Sequence, residues 1–98
     1  MTKRVLKWVV PVDDETHLVG AGPLVHVGCQ AGPDQVMVWT EEDNAPSQTR
    51  AVRVYGTGHL IPDGAEHLGS VIAPIPGLSS ASLVWHVYQQ NGEEKAHG

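Results

Sequence analysis

The chain reads as all-β: a small single-domain antiparallel sandwich or partly open barrel of about six strands with at most one short helix. Three observations predict this. The apolar residues are led by valine, with three tryptophans, two tyrosines and no phenylalanine, a β-branched bias that fills a pleated surface better than a helix face. Apolar and polar residues alternate with period two over several stretches, and clusters of Gly, Pro, Asn and Asp separate those stretches. Ninety-eight residues bury too little surface for a second core, so residues 1–90 are read as one β domain and 91–98 as a polar tail.

The first strand follows from Leu6, Trp8 and Val10 facing one way and Lys3, Lys7 and Val9 the other, with Pro11 suited to its end. A turn rich in Asp13, Asp14, Glu15 and Thr16 leads through Gly20, Gly22 and Pro23 to a second strand, Leu24 to Gln30. Its inward residues would be Val25, Val27 and Cys29, the cysteine acting as a small buried hydrophobe. Ala31-Gly32-Pro33-Asp34 reads as a hairpin connection into Gln35 to Glu41, where Met37 and Trp39 oppose Val36 and Val38, so that both faces can be covered.

The acidic stretch from Glu41 to Gln48 reads as a mobile loop before the strand Thr49 to Tyr55. Asp63-Gly64-Ala65-Glu66 has the form of a helix cap, with Gly69 placed to end about one turn of helix. Leu68 to Ala73 and Ser82 to Gln89 supply the last two strands, joined by a Pro, Gly and Ser loop over Pro74 to Ser80. The expected core is Leu6, Trp8, Val25, Val27, Trp39, Val54, Leu83 and Trp85.

Charge narrows the function. Lys3, Arg4 and Lys7 lie in the first seven positions, which leaves three basic residues against eleven acids in the rest of the chain. Direct nucleic-acid binding needs a basic stripe that displaces counterions, and Arg50, Arg53 and Lys95 do not make one. Lys7, Pro11 and Asp13 interrupt the opening apolar run, which argues against a signal peptide or a membrane span. One cysteine, Cys29, forms no internal disulfide and suits a reducing cytoplasm.

The chemically pointed residues are Gly56-Thr57-Gly58-His59, at the end of a strand, and His86 in Val84-Trp85-His86-Val87. These five are the candidate binding residues. The two glycines allow positive φ or close approach, and a titratable ring follows them. His59 also suits a plain structural role, its ring nitrogens satisfying buried carbonyls where the turn leaves the sheet. His86 alternates with Trp85 and faces either solvent or a second covered side.

Six histidines invite a metal, yet none shows His-x-His, His-x-x-x-His or Cys-x-x-Cys spacing, so no metal ligands and no cofactor are assigned. The glycine turn lacks the lysine and helix of a phosphate loop, and Ser79, Ser80 and Ser82 lack a nucleophile elbow. Glu41-Glu42 and Asp13-Asp14 read as solvated turn residues, and catalysis is not expected.

At Trp39, Val52 to His59, Leu68-Gly69-Ser70-Val71 and Leu83 to Tyr88, the chain resembles an uncharacterised family of small proteins encoded mainly by bacteriophages and their hosts. The likeness rests on an N-terminal strand, a strand ending in tryptophan, the Gly-Thr-Gly-His turn and a closing Val-Trp-His strand, up to Tyr88. It brings no catalytic residue or cofactor. It implies an accessory protein in the cytoplasm of an infected bacterium, engaging a host protein or a small signalling ligand. The alternatives are a metal-dependent enzyme using His59 and His86, and a structural component of the virion.

Overall fold

The computed structural model describes residues 2–29, 34–43, 48–74 and 82–90. Seven strands run in the order β1 (Lys3–Pro11), β2 (His17–Gly20), β3 (Leu24–Gly28), β4 (Gln35–Asp43), β5 (Thr49–Gly56), β6 (Glu66–Pro74) and β7 (Ser82–Gln89). They form two antiparallel sheets, β1-β4-β3 and β2-β5-β7-β6, stacked as an open sandwich. The predicted hairpin and Pro/Gly/Ser loop tips, the acidic loop at 44–47 and the tail lie outside the described residues.

Alternation explains the core. Val10 on β1, Val36 and Val38 on β4, Val52 and Val54 on β5 and Val87 on β7 point between the sheets and are buried. Burying a valine side chain contributes roughly 1.5–3 kcal/mol, so this valine cluster is the main cohesive element. β4 is central and covered on both sides, with Met37 buried on the face opposite Val36 and Val38.

Several expectations are corrected. Within the expected all-β architecture of about six strands, the described residues form seven, because His17–Gly20, four residues between two turn-rich stretches, also pairs with β5. The capping pattern at Asp63 starts no helix, and none is present among the described residues. Gly64 takes φ 89° in a turn closed by the Ala65 amide on the Pro62 carbonyl, and Glu66 already opens β6.

Val25 is 53% exposed because the register of β3 against β4 shifts between Leu24 and His26. The bulge sends Val25 outward and turns Leu24, Val27 and Cys29 toward the core. Cys29 is half-buried, its thiol donating to the Gln35 carbonyl at 3.2 Å. Trp39 lies on the outer face of β4, tilted against His26, since Val38 and Thr40 occupy the inner side. Leu83 has inward parity but stands one rung from the start of β7, and is exposed. Leu6, Trp8, Val27 and Trp85 are half-buried at the rim.

Polar groups also enter the interior. The Trp8 indole donates to Thr40 Oγ1 at 2.8 Å, Thr40 donates to Glu42 Oε2 at 2.6 Å, and the Gly22 amide donates to the same oxygen at 2.9 Å. Glu42 is therefore no solvated turn residue: it is buried on β4. Arg50 donates through Nη2 to the carbonyls of Ala21 and Gly22, so an acid from one sheet and a base from the other pin the crossover from β2 to β3. No helix among the described residues is long and apolar enough to cross a membrane.

Candidate functional site

The outer face of β5, β7 and β6 carries the chemistry. Arg53 lies opposite Tyr88, and Tyr88 opposite His67; two rungs along, Tyr55 lies opposite His86, and His86 opposite Ser70. His67 and Ser70 are three residues apart, and regular pleating would place them on opposite faces. A register shift between His67 and Gly69 turns Leu68 toward the core and brings both polar side chains to the outer face.

A hydrogen-bonded chain results. Thr57 Oγ1 and His86 Nε2 are 2.8 Å apart, His86 Nδ1 and Ser70 Oγ 2.7 Å, and Ser70 Oγ and His67 Nε2 2.9 Å. All of these contacts are solvent-exposed. Each hydroxyl has one hydrogen, so the chain has two complete arrangements. Either Thr57 donates to His86, His86 to Ser70 and Ser70 to His67, or every bond is reversed, with the ring tautomers changing to match.

Aromatic groups flank the chain. The His67 ring leans on Tyr88 at 5.1 Å, Tyr88 meets Tyr55 edge-on at 5.8 Å, and the Arg53 guanidinium sits 5.1 Å from the centre of the Tyr55 ring. Tyr55 is buried, and its hydroxyl accepts from the Gln90 amide at 2.9 Å. This mixture of rigid rings and adaptable hydroxyls can grip a partner at modest entropic cost.

The five residues expected from sequence divide. Thr57 and His86 join the chain; Gly56, Gly58 and His59 build the turn beside it. His59 Nδ1 accepts the Gly56 amide at 3.2 Å and the His59 amide donates to the Gly56 carbonyl at 3.1 Å, so two amides an anion would need are already engaged. His59 does serve the turn, but its exposed ring accepts from an amide where a bond to a buried carbonyl was expected. Gly58 has φ 94° with open space around it, whereas a Cβ on Gly56 would come within 3.2 Å of His59 and 3.3 Å of Trp85.

The structure does not gather His59 and His86 around one point: His59 serves the turn, and His86 bonds across to Ser70. Among the described residues no three His, Cys, Asp or Glu side chains converge as metal ligands. Sequence reasoning named His67 only with His26, His59 and His86 as histidines a metal site would have to gather from different strands, and gave Ser70, Tyr88, Tyr55 and Arg53 no functional role. A period-two template places His67 and Ser70 on opposite faces, and nothing local marks the shift.

A carboxylate–imidazole contact lies elsewhere. His17 bonds Asp13 at 2.8 Å, and that hydrogen bond holds the exposed Asp13 carboxyl below its ordinary value against an opposing effect of desolvation.

A family profile described as a domain of unknown function, DUF7352, matches residues 1–98. No curated protein and no solved structure matches the chain.

Proposed function

The chain belongs to the DUF7352 family, and from that premise we propose that it is a non-enzymatic binding protein whose partner docks on the outer face of β5, β7 and β6. The carrying observation is the Thr57-His86-Ser70-His67 chain, exposed beside Tyr88 and able to run in either direction. A surface that reverses its donors and acceptors without moving its backbone suits recognition of polar partner groups. Catalysis is less well supported, because the Ser70 hydroxyl and its bonds to His67 and His86 lie exposed to solvent, where electrostatic stabilisation of a transition state is weak.

The setting we propose is the cytoplasm of a phage-infected bacterium, with a host protein or small signalling ligand as the partner and no direct contact with nucleic acid or membrane. The resemblance of the Gly56 to His59 turn and the Val84 to Val87 strand to phage-encoded proteins supports this setting. The glycine turn would hold Thr57 in place for the same contact.

Capture from host lysate on immobilised protein tests the reading. Partner recovery should fall at least tenfold for His86→Ala and for Tyr88→Ala, with melting temperatures within a few degrees of the parent. Lys7→Ala, on the outer face of the other sheet, should leave recovery unchanged. Equal recovery by all variants would refute the proposal, and co-purification with assembled particles would favour the virion-component reading.

A further inference from the structure

We propose that His67 and His86 form a two-imidazole site for a late first-row divalent cation, Cu²⁺ above all, centred near the Ser70 hydroxyl. His67 Nε2 and His86 Nδ1 come from adjacent strands and approach one oxygen, Ser70 Oγ, at 2.9 and 2.7 Å. Two ring nitrogens aimed at one point are the core of a histidine metal site, where imidazole nitrogen sits about 2.0–2.1 Å from a zinc-sized ion. Small rotations of the two rings close that gap once the Ser70 hydroxyl turns aside or becomes a third ligand.

Binding requires both nitrogens to present lone pairs, which fixes the tautomers. His86 must then carry its proton on Nε2, and Thr57 Oγ1, 2.8 Å from that atom, is placed to accept it. Thr57 thus acts as the outer partner that orients a ligating ring, a role on which metal affinity commonly depends. The contacts lie in solvent, so water completes the coordination. A set of two nitrogens, a hydroxyl and water favours tetragonal Cu²⁺, which also stands highest in the affinity order of the divalent ions.

The site shares the face assigned to the partner but does not rest on that reading, since a cation would be held whether or not a partner docks. His59 takes no part, because its Nδ1 is committed to the Gly56 amide.

Titration of tag-free protein with Cu²⁺, followed by calorimetry and electron paramagnetic resonance, decides the matter. We expect one ion per chain and a spectrum showing two coordinated imidazole nitrogens. Affinity should fall at least tenfold in His67→Ala and in His86→Ala, with His67→Asn and His86→Asn used should either alanine variant fail to fold; His26→Ala should bind as the parent does. Absence of one-to-one uptake, a single-nitrogen spectrum, or parental affinity in either site variant would overturn the proposal. Partner capture repeated in excess chelator separates this failure from failure of the docking reading.

Discussion

Two hydrogen-bond chains of four members run through this small protein, and their bonds are almost equally short. Between the sheets, Trp8, Thr40, Glu42 and the Gly22 amide are joined at 2.8, 2.6 and 2.9 Å; on the outer face, Thr57, His86, Ser70 and His67 are joined at 2.8, 2.7 and 2.9 Å. They differ in direction. An indole and an amide can only donate and Glu42 Oε2 accepts from both sides, so the buried chain has one arrangement. Hydroxyls and neutral imidazoles each play either part, so the exposed chain has two. Similar lengths therefore conceal different roles: the first locks two sheets and a crossover into one state, and the second leaves a surface able to answer more than one partner chemistry.

The sharpest way to break this contrast is Gly22→Ala. A Cβ there would collide with the Glu41 carbonyl oxygen and come within 2.9 Å of Glu42 Oε2, and a backbone group cannot step aside cheaply. We expect a loss of about 3 kcal/mol or more in chemical denaturation, the upper range for overpacking. A loss below about 1 kcal/mol would mean that the crossover is not locked.

The next test compares the middle hydroxyl of each chain. Thr40→Val keeps the shape but removes the acceptor for Trp8 and the donor to Glu42, and should cost about 2 kcal/mol. Ser70→Ala leaves His67 and His86 free to bond water, and should stay within about 0.5 kcal/mol of the parent while changing the nuclear magnetic resonance chemical shifts of both rings. Equal costs would erase the distinction between the chains.

The smallest effect belongs to the exposed His17-Asp13 contact. Because the Asp13 carboxyl is held below its ordinary value in the folded protein, its contribution is present above the unfolded value and is lost as pH falls through the folded one. Parent and His17→Ala should differ slightly in denaturation midpoint at neutral pH and converge in strong acid. A difference that grows toward acid would contradict this sign.

How much could be read from the sequence follows from where pleating is regular. Along β1, β4, β5 and β7 the alternation is unbroken, and Val10, Val38, Val54 and Val87 go where period two sends them. It fails at the shifts in β3 and β6, where Val25 leaves the core and His67 and Ser70 come to share a face. The strand His17–Gly20 is too short to show a period, and Asp63-Gly64 carries a signal that helix caps and tight turns share. For the candidate site, the turn and His86 were visible as local motifs. Their partners were not, because cross-strand register decides which residues meet.

The two shifted strands also bear on self-association. β3 and β6 are edges of different sheets that lie beside one another, and Gly69 has no Cβ where one would stand 2.9 Å from Val27 Cγ2. A neighbouring molecule extending either sheet by strand addition would need an uninterrupted row of free amides and carbonyls, and a bulge breaks that row on each of these edges. Cross-β growth would have to begin at the other side of the sandwich. There β1 presents Lys3, Arg4 and Lys7, and β2 is only four residues long, so a templating strand would meet either charge or too short a ladder.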